Sequence, residues 1–192
     1  MPVTLTKIFA GIKPKKFPPR VGLLIENHYL SCYPKTVSGK LKSLDELIAI
    51  AAQARHNGQS VVFTNGCFDI LHRGHVHILR QAKASGDLLI VALNSDRSVR
   101  EIKGLTRPVF SETDRVELIG AMEMVDYVTV FDELDPYKLI AAIKPNVLAK
   151  GGDWSAEKII GADVVEQAGG RVVVIPYLKG FSTSEIIERI RN

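Results

Sequence analysis

Val61-Val62-Phe63-Thr64 runs into Asn65-Gly66-Cys67-Phe68-Asp69-Ile70-Leu71-His72-Arg73-Gly74-His75, and this stretch decides how the rest of the chain is read. Its first four residues are β-branched or aromatic and uncharged, as expected of a strand buried on both faces. Gly66 lets the backbone turn sharply or approach a ligand closely. After Gly74-His75, Val76, Ile78, Leu79 and Ala82 form an apolar stripe at helical spacing, with Arg80 and Lys83 in the same turn of sequence. A buried strand, a glycine-bearing turn and a helix thus follow one another directly.

The same alternation continues to the C-terminus. Further strands are expected at Leu88 to Leu93, Tyr127 to Phe131, Asn146 to Ala149 and Arg171 to Ile175. Helix starts lie between them. Ser111-Glu112-Thr113-Asp114 opens the run Val116 to Met124. Asp135-Pro136 reads as an N-cap followed by proline at the first helical position. Ser155-Ala156-Glu157-Lys158 opens another helix, and Ser182-Thr183-Ser184-Glu185 is a capping box before Ile186-Ile187. Gly86, Gly104 and Gly169-Gly170 mark breaks. The pattern predicts an α/β fold: a Rossmann-like, doubly wound, five-stranded parallel sheet with a short N-terminal extension. Such sheets bind ligands at the carboxyl ends of their strands, near the topological switch point.

Upstream, Ser43 to Arg55 is expected to be a helix: Ser43 and Glu46 form a capping box, and Asn57-Gly58 ends it. Val21 to Ile25 and Tyr29 to Tyr33 could pair as a hairpin, and residues 1–20 read as a loose arm. The expected division is an arm at 1–37, a lead-in helix at 38–60 and the main domain at 61–192.

The chain has 192 residues, with 46% hydrophobic and 24% charged, enough for one core without disulfide or metal staples. Its two cysteines, Cys32 and Cys67, are far apart and form no CxxC pair, which suits a reducing, cytoplasmic setting. No run reaches the roughly 18 apolar residues of a membrane span. The N-terminus lacks the apolar core of a secretory signal, and Pro14, Pro18 and Pro19 would break a transit-peptide helix. The net charge of +4 is uneven: residues 1–60 hold nine Lys/Arg and three Asp/Glu, residues 61–192 hold 16 and 18. Basicity therefore belongs to the N-terminal segment. Its cluster Lys13-Lys15-Lys16-Arg20 reads first as a solvated tail, and nucleic acid is a disfavoured partner.

His72 and His75 bracket Gly74 where a helix should begin. Free N–H groups and the helix dipole there favour phosphate. Two imidazoles add donors without a fixed double charge. A metal site is the rival reading, since His72, His75 and His77 lie together. But His75 and His77 point to different faces of a helix, and only Cys67 is near as a further ligand.

The string resembles the signature GxFDxxHxGH of the nucleotidylyltransferase superfamily, which includes the glycerol-3-phosphate, choline-phosphate and ethanolamine-phosphate cytidylyltransferases and the heptose-phosphate adenylyltransferases. Asn65-Gly66-Cys67-Phe68-Asp69 and Lys150-Gly151-Gly152-Asp153-Trp154 are most similar to the heptose group. Gly180-Phe181-Ser182-Thr183-Ser184 resembles the helix start that holds phosphate oxygens in the superfamily, with Ser184 in place of the usual threonine. The glycerol-phosphate enzymes have an arginine three residues before that glycine, where this chain has Tyr177. The resemblance runs from about Ser38, through Lys40 to Leu47, to the C-terminus.

The resemblance implies transfer of AMP from ATP to a sugar 1-phosphate, D-glycero-β-D-manno-heptose 1-phosphate first among them, giving ADP-heptose and pyrophosphate, with Mg²⁺ on the phosphates. The nucleophile is already anionic, so positioning and charge stabilisation suffice. It implies catalytic roles for His72, His75 and Lys103. Nucleotide contacts fall to Asn65, Gly66, Cys67, Phe68, Gly74, Asp96, Arg107, Lys150, Gly151, Asp153, Ser182, Thr183 and Ser184. No residue set reads as a protein metal cage.

Several residues keep a second reading. Arg107 is a phosphate contact or a loop anchor, and Trp154 stacks on a base or packs in a groove. Asp69 reads as orienting its loop, Arg115 as half of an ion pair, and Met122 and Met124 as core. Many relatives carry a sugar kinase ahead of this domain. Residues 1–60 are too short for one, so either a separate upstream kinase supplies the substrate or the chain has drifted to another acceptor, and superfamily habit implies a homodimer. Alternatives are a cytidylyltransferase for a polyol or alcohol phosphate, an adenylyltransferase with a flavin or pantetheine acceptor, and a non-catalytic nucleotide-binding module.

Overall fold

Five parallel strands form one sheet in the order β3-β2-β1-β4-β5: β1 Val61–Gly66, β2 Leu88–Asn94, β3 Tyr127–Phe131, β4 Val147–Gly151 and β5 Arg171–Ile175. The computed structural model describes residues 37–152, 155, 158–178 and 180–191. The expected hairpin and arm, and Asp153 and Trp154, lie outside the described residues. Val61 sits beside Leu88, Val62 beside Val147, Ile90 beside Tyr127, and Val147 beside Arg171. The order reverses between β1 and β4, so a crevice opens at their carboxyl ends.

Alternate residues of each strand face opposite layers. Val62, Leu89, Val91 and Val147 pack with Leu79 and Ala82 of α2 (Arg73–Lys83) and Val116 and Ile119 of α4 (Glu112–Gly120). Val61, Phe63, Ile90 and Leu148 face the other way. They pack with Leu47 and Ala51 of α1 (Leu44–His56), Ile140 and Ile143 of α5 (Tyr137–Ile143), and Val165 of α6 (Ala162–Gln167). Met122 and Met124 are half-buried against the first of these layers. Both faces are dry, which is why the strand sequences read as unbroken apolar runs. Upstream of α1, Lys42 donates its N–H to the Val128 carbonyl and Val128 donates back to Lys40, which covers the outer edge of β3.

The capping box at Ser43 and Glu46 is present. Ser111 caps α4, but that helix stops at Gly120 and Met122 to Met124 lie beyond it. Three expectations shift. The segment from Asn94 to Arg107 carries no expected helix, yet α3 (Asp96–Lys103) forms there, capped by the Ser95 hydroxyl accepting from Ser98 N–H. Asp135 accepts from Tyr137 N–H at 2.9 Å, and Pro136 precedes α5 instead of opening it. The helix expected from Ser155 starts at Ala162, because Gly161, at φ +87°, resets the chain direction.

Candidate functional site

The crevice is a cavity of about 690 Å³. The turn after β1 supplies Asn65, Gly66, Cys67, Phe68, Asp69, His72, Gly74 and His75, and β4 supplies Lys150 and Gly151. Lys103 and Arg107 follow from α3 and its loop, and Ser182, Thr183 and Ser184 from the start of α7 (Thr183–Arg191). Residues far apart in sequence thus converge on one concave surface.

His72 and His75 stack with ring centroids 3.9 Å apart. The His72 Nδ1 accepts from Gly74 N–H at 3.1 Å, which leaves its Nε2 to carry the proton. A Cβ at Gly74 would stand 2.8 Å from the His72 ring and 3.1 Å from the Phe181 carbonyl oxygen, so only glycine lets the histidines and the α7 segment close on this helix start. Burial, and then the charge His72 would carry, press the His75 imidazole down to about 4. Burial lowers His72 as well. Both rings are therefore neutral donors at pH 7. The His75 Nδ1 is buried and has no partner.

Asp69 orients its loop and reaches further than the sequence suggests. Its carboxylate, fully buried, accepts from Val109 N–H at 2.9 Å, Phe110 N–H at 3.0 Å and Arg107 Nε at 2.5 Å. Burial acts to raise its pKa, but the Phe110 and Val109 amides and Arg107 outweigh that and hold it below the usual carboxylate range. Its backbone carbonyl accepts from the Thr183 hydroxyl at 2.9 Å. One residue thereby ties the β1 turn to the loop after α3 and to α7. Arg107 is anchored by this ion pair while also lining the cavity, so both of its readings apply.

Lys150 donates to the Asn65 side-chain oxygen at 3.0 Å across the switch point, and burial lowers its pKa. Burial pushes the Cys67 thiol up, so it is a poor nucleophile. Ser182 and Glu185 form the expected capping box.

Asp96 stands apart from the other candidates. Its carboxylate receives Arg115 at 2.9 Å, and it is not among the residues lining the cavity. The ion pair expected at Arg115 exists, though with Asp96 and not with its neighbour Asp114. Ile102, Leu134, Asp135 and Ile160 also line the wall, and no site motif marks them as doing so; Tyr177 and Phe181 line it beside or within the Gly180 to Ser184 motif. Leu134 to Pro136 were within reach, since they follow β3 by the same strand-end rule. Among the described residues there is no group of three or more His, Cys, Asp or Glu placed to hold a metal ion. No helix among them is long and apolar enough to cross a membrane.

The family model described as "Cytidylyltransferase-like" matches residues 63–189. Bifunctional protein HldE of Geotalea uraniireducens (strain Rf4) is 49% identical over 153 residues, covering 80% of this chain and 31% of that protein. Bifunctional protein HldE of Wolinella succinogenes is 51% identical over 153 residues, with 80% and 31% covered. The chain thus spans about a third of the length of these curated relatives. Among solved structures, the lipopolysaccharide core biosynthesis protein from Thermoplasma volcanium GSS1 superposes with a TM-score of 0.51 at 31% identity, covering 65% of this chain and all of that one.

Proposed function

Since the chain belongs to the cytidylyltransferase-like family of nucleotidyltransferases, we propose that it transfers AMP from ATP to a sugar 1-phosphate, with D-glycero-β-D-manno-heptose 1-phosphate as the acceptor. The observation that carries this reading is the pair of stacked, neutral imidazoles at the start of α2, lining one cavity with the residues at the start of α7. That arrangement suits a polyphosphate whose charge shifts during reaction. The choice of acceptor is supported by the similarity to the two HldE proteins and to a lipopolysaccharide core biosynthesis protein.

An oxygen of the sugar phosphate attacks the α-phosphorus in line, and the bond from the α-phosphorus to the bridging oxygen breaks. Pyrophosphate carries away that electron pair. His72 and His75 donate hydrogen bonds to the phosphates and to the leaving pyrophosphate. Lys103 and Arg107 offset the growing negative charge, and the Ser182, Thr183 and Ser184 segment holds phosphate oxygens at a helix start. Asn65, Gly66, Cys67, Phe68 and Gly74 shape the nucleotide wall, with Lys150 and Gly151 opposite. Mg²⁺ bound to the triphosphate would further neutralise its charge. The cavity acids suit such a phosphate-held ion without caging it: Asp69 is engaged by Arg107, Asp135 accepts from the Tyr137 N–H, and Glu185 completes the capping box of α7. In this reading the sugar 1-phosphate traces back to a separate sugar kinase.

Pyrophosphate release tests the reading, with ATP or CTP, each with and without heptose 1-phosphate. Release that needs ATP and the heptose phosphate together is the expected result. Release with CTP and another phosphate acceptor would overturn the substrate assignment.

A further inference from the structure

Arg115 is the largest fully buried side chain among the described residues. It donates from Nη1 to the Cys67 carbonyl at 2.6 Å and from Nη2 to Asp96 at 2.9 Å, and its Nε has no partner. As a source of stability this is a poor arrangement, because an apolar side chain of similar volume often serves as well or better. Its position suggests another use. The carbonyl it holds belongs to the residue before Phe68, whose φ of +49° is left-handed and strained for an aromatic residue. That turn lays the Phe68 ring over Gly66, where a Cβ would meet it at 3.2 Å. The same ring lies 5.4 Å from the His75 imidazole, tilted by 55°. A continuous set of contacts therefore runs from the guanidinium, through the Cys67 carbonyl and Phe68, to His75.

We propose that Arg115 is a positioning residue for His75: by holding the Cys67 carbonyl it fixes the left-handed turn at Phe68 and the ring on which the imidazole packs. The inference rests on the reading that the His72–His75 loop binds the nucleotide, and it names what keeps that loop in place. Asp96 acts at one remove, orienting the guanidinium from the start of α3. This gives a physical role to a carboxylate that does not line the cavity.

Two variants, R115M and R115K, test this with two readouts. The first needs no nucleotide: the His75 ring is titrated by NMR in the free protein. In the native protein burial holds its midpoint at about 4. In R115M the loosened Phe68 admits water, and the midpoint should rise by about one unit or more toward the ordinary imidazole value. The second is turnover with MgATP and heptose 1-phosphate. A displaced imidazole loses its transition-state contact, so kcat should fall about thirtyfold while KM for MgATP changes less than about threefold. R115K keeps a charge and one donor arm, and should recover part of both. A merely structural Arg115 would lower Tm but leave the His75 midpoint and the kcat of the folded fraction unchanged, and that result overturns the proposal. If R115M does not fold, R115K decides both readouts. A native protein inactive on every nucleotide would remove the proposed function, and the His75 titration would still decide the positioning claim.

Discussion

The cavity wall built from residues 65–75 and the wall that ends in α7 line one site, and they are fastened in different ways. The first is held from beneath by buried charge: Arg115 grips the Cys67 carbonyl, and three partners grip the Asp69 carboxylate. Its strained residues, Phe68 and Ile70, at φ +49° and +51°, flank that anchored carboxylate. The second carries Ser182, Thr183 and Ser184 on a helix with no buried residue. Its links to the first wall include one hydroxyl bond from Thr183 to the Asp69 carbonyl and the Arg73 guanidinium 5.6 Å above the Phe181 ring. The contrast indicates a division of labour. The histidine wall has its geometry before any ligand arrives, as electrostatic catalysis requires. Under the proposed function, the serine wall would gain part of its fastening from a bound phosphate.

Breaking the histidine wall should have the largest effects. Asp69→Asn removes the charge that Arg107 and two amides share, and should lower unfolding stability by about 3 kcal/mol, read by urea denaturation, with turnover falling in parallel. His75→Ala keeps the fold and should lower kcat about a hundredfold, the usual scale for one lost transition-state donor. Near-native turnover in that variant would remove His75 from the chemistry.

Changes on the serine wall should be milder and fall on binding. Ser182→Ala should raise KM for MgATP about tenfold, the scale of one charge-assisted hydrogen bond, while Tm should fall only by the small amount that losing the Ser182–Glu185 cap costs. A large loss of stability in that variant would contradict the contrast between the walls. The last effect concerns pH. The His75 imidazole titrates at about 4 when folded, against an ordinary value of 6.5. The unfolded chain therefore takes up the proton first as pH falls. The stability this residue contributes is full above pH 6.5 and is lost on acidification toward about 4. His75→Asn should flatten that slope in urea titrations at a series of pH values.

The strands were legible because each is buried on both faces and so carries an unbroken apolar signature. The capping boxes at Ser43 and Ser182 were legible because both partners lie within four residues. What the sequence leaves illegible depends on distance or on a weak local signal. The helix α3 has only Val99 and Ile102 as apolar residues in a polar, eight-residue segment. The Ser155-to-Lys158 pattern looks like a helix start, but Gly161 intervenes before the helix forms. Arg115 has an acidic neighbour in Asp114, yet its partners are Cys67 and Asp96, on other elements. Lys150 meets Asn65 only because β1 and β4 are adjacent in the sheet. The candidate site was readable as motifs at strand ends; the anchoring beneath it came from packing that no short window of sequence contains.

The most direct test of direct AMP transfer follows the label of ATP carrying ³²P at the α-phosphate, incubated with Mg²⁺ and heptose 1-phosphate. All transferred label should appear in ADP-heptose, with unlabelled pyrophosphate and no label on the denatured protein. Label retained on the protein, or released as free AMP whether or not the sugar phosphate is present, would contradict direct transfer in this cavity.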